Sequence, residues 1–268
     1  MKSLPFLRSA LAAVAITAFL PVSIAQNTLP ARVRAGASIR NVVISMTAKR
    51  QESLLERIAI DQTIHPEHRE AIAEILSQFP TSCVNKVRNF YVRYDNPPER
   101  GLAGKDTVIL SGNVTMSEFR ALLVHEMGHV SDLGCLTGTA AKGQSAFRDG
   151  GDLIFQDDPS VLFYALSWTG PKSKRSDATT DDFVSGYANT SDAFEDVAES
   201  ITFAFFHHSE FRRMAKDNSV LEKKLVWIDT YVFPNRETFT RSSYRWTASA
   251  IPWDVTKLPY VWNAPTSK

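Results

Sequence analysis

Residues 125–129 read His125-Glu126-Met127-Gly128-His129, the pattern HExxH. On an α-helix, positions i and i+4 project from the same side, so two imidazoles at that spacing can meet on one ion. Zinc takes nitrogen ligands at about 2.0–2.1 Å and lowers the pKa of a bound water toward ~7. Glu126 lies beside the histidines without being a ligand itself. It is placed to take a proton from such a water as the water attacks a carbonyl. These residue types at this spacing predict metal-assisted hydrolysis.

A catalytic zinc uses a third protein ligand and keeps one position open. The extended pattern HExxHxxGxxH cannot supply that ligand, because Asp132 and Cys135 stand where it requires glycine and histidine. Glu195-Asp196-Val197-Ala198-Glu199 offers the best candidates. Glu195 and Glu199 again lie four apart on a helix. One carboxylate can ligate the ion, and the other can accept the free ring N–H of a ligating histidine. Phe194, Val197, Ile201 and Phe205 put an apolar stripe beside them, and the small Ala198 allows this helix to approach the first closely. Asp132, one turn after His129, either braces that histidine or is a polar helix end. Cys135 remains open as a ligand or as half of a disulfide.

The elements that must hold these residues can be read from periodicity. The HExxH helix is expected over Met116 to Asp132. Thr115 and Glu118 have capping-box spacing, Phe119, Leu123, Met127 and Val130 form one apolar face, and Gly134 stops it. The run Thr107 to Leu110 before it reads as a strand and as the sheet edge that an extended substrate could pair with. Upstream, Pro66 to Gln78 reads as a helix and Val87 to Tyr94 as a strand. Residues 136–158 are Gly-rich and polar. Pro159 to Trp168 fits a short helix, and Pro171 to Asp182 a polar loop. The second strong helix spans Asp192 to Phe206, and helical patterns continue to Val232. From Pro234 the chain is rich in proline and aromatics, including Trp246, Trp253 and Trp262, expected to strap the tail onto the core. Gly101 to Lys105 (GLAGK) is too short for a phosphate loop and is followed by Asp106 instead of Ser/Thr.

HEMGH, then Tyr187, then EDVAE resembles the gluzincin peptidases, in particular the catalytic domain of anthrax lethal factor. The comparable segments are His125 to His129 and Gly186 to Glu199, about twenty residues in two blocks. Asp182 to Ala188 (DFVSGYA) is also similar to small bacterial proteins of zinc-peptidase type. The resemblance implies a zincin-like α+β domain, mostly helical, with a small sheet above the HExxH helix. It implies one Zn2+ held by His125, His129 and Glu195, with Glu126 as general base. Glu199 would then orient a zinc-bound histidine, and the Tyr187 phenol would steady the oxyanion.

Bulk properties narrow the remaining classes. The chain has 268 residues, 44% of them apolar, enough for a sizeable core. Its 30 basic and 29 acidic residues are interspersed, which argues against a disordered chain and against a nucleic-acid binder working through a basic stripe. Lys2 and Arg8, the apolar run Leu11 to Leu20, Pro21 and Ser23-Ile24-Ala25 describe a signal peptide over residues 1–25, leaving the peptidase domain at 26–268. The run is short for a spanning helix, which needs about 20 apolar residues. Cleavage after Ala25 removes two cations and takes the formal net charge from +1 to −1. The expectation is an exported protein, periplasmic or extracellular, acting on a peptide or protein, with no nucleic acid and no membrane as partner. Cys83 and Cys135 suit an oxidising compartment and are expected to pair. Two other functions fit the same residues: an inactive zincin-fold binding protein and an amidase of cell-wall peptides. The intact Glu126 speaks against the first, because a pure binding site has no use for that base.

Overall fold

The computed structural model of the protein describes residues 52–234, 240–242, 244, 245, 247 and 251–263. Residues 1–51, with the expected signal peptide, and Trp246 lie outside the described residues. The architecture is α+β.

Three helices come first: α1 (Leu54–Ile60), α2 (Pro66–Leu76) and α3 (Thr81–Val84). Ser53 and Glu56 close a reciprocal capping box on α1. In α2, Pro66 takes the first turn, where its missing N–H costs nothing, and Ala71, Ile72, Ile75 and Leu76 are buried. The strands β1 (Asn89–Arg93), β2 (Gly101–Ala103) and β3 (Thr107–Ser111) then form a sheet in the order β1-β3-β2, with β1 parallel and β2 antiparallel to β3. The segment Thr107 to Leu110 is therefore the central strand and not the edge it was expected to be. Val108 and Leu110 are fully buried, as suits a strand paired on both sides. The edges are β1 and β2, and β2, three residues opening on a glycine, is too short to leave a strand pattern in the sequence.

Helix α4 (Met116–His129) starts where expected, with Thr115 Oγ1 accepting from Glu118 N. Phe119, Leu123, Met127 and Val130 are all fully buried. The helix does not stop on Gly134. After His129 it loosens into a π-helical turn, Val130–Cys135, and becomes extended at Leu136. Gly134 serves close approach instead, since a Cβ there would stand 1.9 Å from the Lys105 carbonyl oxygen. Cys135 is disulfide-bonded to Cys83, which ties this turn to α3.

The stretch read as Gly-rich and polar contains a hairpin, β4 (Gln144–Asp149) and β5 (Asp152–Phe155), turning at Gly150, whose φ of +54° favours glycine. There follow α5 (Pro159–Ser167), the short pair β6 (Trp168–Gly170) and β7 (Ser173–Lys174), α6 (Gly186–Thr190), α7 (Ala193–Ala215) and α8 (Ser219–Tyr231), then the paired strands β8 (Thr240–Ser242) and β9 (Tyr260–Trp262). The expected end of the helix at Phe206 falls on a kink in α7, and a second helical stretch continues to Ala215. His207 leaves helical geometry (φ −129°, ψ 33°), and the chain bends there and resumes.

The extensively packed pair α4 and α7 forms the centre of the fold. They cross at Gly128, where a Cβ would lie 3.0 Å from Ala198 Cα. Beneath α7, the fully buried Lys224 of α8 donates to both Asp196 oxygens (2.9 and 2.7 Å) and to the Asp182 carbonyl. Trp168 Nε1 also donates to Asp196, which fixes the turn of α7 that carries Glu195. Among the described residues no helix is long and apolar enough to cross a membrane.

Candidate active site

Helix α4 presents His125 and His129 toward α7, and α7 presents Glu195 toward both. Glu195 Oε2 lies 3.1 Å from His125 Nε2 and 3.5 Å from His129 Nε2. The three ligand atoms lie within 4.8 Å of one another, so this group could hold a metal ion. Burial of Glu195 pushes its pKa up, but the two imidazoles outweigh it and hold the carboxylate below its ordinary value. Burial likewise works against charge on His125, where Glu195 and Glu199 together raise the pKa well above the usual imidazole value.

Glu199, one turn further along α7, is fully buried and faces the other ring nitrogen. Its Oε1 stands 3.2 Å from His125 Nδ1, off the line of a hydrogen bond. Its Oε2 accepts from Ser185 Oγ (2.5 Å) and from Val255 N (3.1 Å). The two carboxylates left open by the sequence thus have different places. Glu195 meets both histidines, and Glu199 is anchored behind one of them.

Glu126 is also buried, and burial raises its pKa. Its carboxylate lies directly under β2. A Cβ on Gly101 would come within 2.0 Å of Glu126 Oε1, so any larger residue there would displace the carboxylate from its present position. Among the described residues no strand pairs with the outer side of β2. Arg100 O accepts from Ser111 N, and Gly104 N donates to Thr107 O. By antiparallel alternation the N–H and C=O groups of Gly101 and Ala103 point away from β3. Both residues line a cleft of about 460 Å³ together with His125, Glu126, His129 and Glu195.

Tyr187, on α6, lines the same cleft. Its pKa is pushed up to about 12, mainly by burial and then by the Glu195 charge. Asp132 is not joined to His129 by a hydrogen bond. It sits in the π-helical turn, where Tyr164 Oη donates to its Oδ1 at 2.6 Å. Burial raises its pKa to about 7. Cys135 is committed to its disulfide.

Several residues at the site carry no recognisable sequence pattern. Ser185 and Val255 anchor Glu199. Arg100 joins Glu118 (2.5 Å) and Asp254 across the rim. Trp253, expected to strap the tail down, is instead 64% exposed and lines the cleft, packed over Gly186. Trp262 does pack on the core, near Phe206 and under Arg120. Arg100 reaches Asp254 across 154 residues and Val255 reaches Glu199 across 56, and no local spacing encodes either contact. Another group, His65, Glu67 and His68 at the start of α2, could also hold an ion. None of the three lines the cleft.

No family model matches this chain, and comparison with curated proteins and with solved structures finds no match.

Proposed function

We propose that this protein is an exported zinc-dependent peptidase of gluzincin type. The observation that carries the reading is the convergence of His125, His129 and Glu195 on one point in a cleft, with the Glu126 carboxylate beside them. Two imidazole nitrogens and a carboxylate oxygen are a donor set that fits zinc. A zinc ion held by these three residues would supply Lewis acidity and would lower the pKa of a bound water toward neutrality.

The chain's own residues then have separate tasks. Gly101 and Ala103 offer backbone hydrogen bonds to an extended peptide, laying its carbonyl over Glu126. Glu126 accepts the proton of the attacking water and returns it to the leaving amine. The Tyr187 hydroxyl, protonated at neutral pH, can donate to the oxygen on which negative charge develops. Glu199, fixed by Ser185 and Val255, orients His125. Export is supported by the basic, apolar and small-residue pattern of residues 1–25 and by the disulfide.

The test is metal analysis of protein purified without chelator, beside cleavage of a mixed peptide library. One zinc per chain and metal-dependent cleavage are expected. Absence of bound zinc would overturn the reading. The variant Glu126→Gln should retain the metal and lose roughly 10²–10⁴ in rate, since an amide keeps the shape and cannot act as a base. Near-normal turnover in that variant would exclude Glu126 as the base.

A further inference from the structure

A second, smaller cavity of about 110 Å³ adjoins the cleft, with Leu133 and Asp149 lining both. It lies between the π-helical turn after His129 and the β4–β5 hairpin. Its apolar wall includes Leu136 and Ile154, and its polar lining is dominated by aspartates. Three of those acids are accounted for. Asp158 accepts from Ser160 N and Gly138 N, Asp152 pairs with Lys105, and Asp149 stands exposed at the shared mouth. The fourth is different. Asp132 is 2% exposed, its Oδ1 is taken by Tyr164, and its Oδ2 is buried with no hydrogen-bond partner. A buried carboxylate oxygen without a partner is costly, which is also why burial raises the pKa of Asp132, and in a cavity lined by four acids and one lysine a cation placed against it would offset that cost.

We propose that this cavity is a side-chain subsite for a basic residue, with Asp132 as the group that recognises the ammonium or guanidinium. This rests on the peptidase reading: the bound residue is one that flanks the scissile bond. The cavity has apolar walls for a long methylene stem and an acid for the charged end, which is how lysine and arginine side chains are accommodated. The main cleft has the same bias. Glu99, Asp149 and Asp192 line it, whereas its cation Arg100 is already engaged by Glu118 and Asp254. The cavity is not arranged as a metal site. Among the described residues its acids do not converge as the His125 group does.

The experiment has two arms on the full mature chain. In the first, Nα-acetyl-lysine amide and Nα-acetyl-norleucine amide are titrated into the protein by calorimetry. They differ only in the terminal ammonium. Lysine amide should bind roughly ten- to hundredfold tighter, the ratio expected of one charge-assisted hydrogen bond. Asp132→Asn should abolish that ratio while keeping the Tyr164 bond, and Asp149→Asn should reduce it. Equal binding of the two amides by the native protein, or an unchanged ratio in Asp132→Asn, would overturn the proposal. So would loss of zinc from a folded Asp132→Asn, which would assign Asp132 to the support of His129. If Asp132→Asn does not fold, the native ratio and Asp149→Asn decide. In the second arm, cleavage sites in a peptide library are mapped by mass spectrometry. Sites with lysine or arginine at one fixed position are expected, and cleavage without that preference would refute the subsite. If no peptide is cleaved at all, the peptidase reading fails, and the calorimetric ratio still decides whether the cavity binds cations.

Discussion

Glu195 and Glu199 share a face of α7, yet their surroundings set them different tasks. Glu195 sits between two imidazoles, and Glu199 is held by a serine hydroxyl and a backbone amide on the far side of His125. Glu195→Ala should therefore weaken zinc binding far more than Glu199→Ala, for which about 10–100-fold is typical of a residue that only orients a ligand. Zinc titration against a competing chelator checks this, and the reverse order would exchange the two roles. The i, i+4 spacing made both residues legible in the sequence. What it could not show was which carboxylate faces both histidines, because that depends on Ser185 and Val255, contacts made only after folding. Gly101 illustrates the same limit. In the sequence it is part of an unremarkable GLAGK, and its function as the residue that clears Glu126 exists only once β2 lies across α4.

At the scale of elements, the strongly periodic helices were readable and the irregular ones were not. Helix α4 and the first half of α7 follow their apolar patterns. Their crossing at Gly128 and Ala198 follows from the small residue noted in the sequence. The edge strand β2, the β4–β5 hairpin and the π-helical turn were missed because short strands and tertiary-imposed turns carry little local pattern. The bend of α7 at His207 has a measurable consequence. The ring is buried, its Nδ1 is hydrogen-bonded with Ser242 Oγ at 2.7 Å, and its Nε2 has no partner. Burial lowers its pKa from 6.5 to about 4, against a smaller opposing effect of Glu210. In the unfolded chain this histidine takes up a proton near pH 6.5, while in the fold it stays neutral until about pH 4. Stability is thus lost as pH falls through that window, by up to about 3 kcal/mol from this residue. Urea melts at pH 7 and pH 4.5 should show a smaller acid loss in His207→Gln than in the native protein. Equal losses would mean the ring is already charged in the fold.

For the whole molecule, two long-range ties hold the site's halves together. The first is the Cys83–Cys135 disulfide, with a sequence separation of 52, which anchors the turn following His129. Chain entropy for such a loop gives about 4 kcal/mol, on the order of 10 °C in Tm for a chain of this size. Melting with and without reductant checks it, and an unchanged Tm would mean the π-helical turn is held by packing alone.

The second tie is the segment 252–256, which lies far from the zinc motif in sequence and joins the site at four points. Pro252 O accepts from Gly186 N, Trp253 O accepts from Tyr187 N, Val255 N donates to Glu199, and Asp254 pairs with Arg100 beside β2. Val255 and Thr256 are buried, so the segment is part of the fold and not a surface appendage. It positions the tyrosine through its backbone, the histidine through Glu199, and the strand edge through Arg100. Ending the chain at residue 251 should therefore weaken zinc binding about 10–100-fold, as loss of an orienting contact does, and lower Tm as well. Asp254→Ala should affect zinc much less, because it removes the tie to Arg100 while leaving the Val255 amide on Glu199. Peptide hydrolysis by Asp254→Ala should instead lose in KM, since the strand proposed to receive substrate is what loosens. Zinc competition titrations and steady-state kinetics on the two variants separate these effects. A truncated chain that binds zinc as tightly as the native protein would show that the tail merely covers the site.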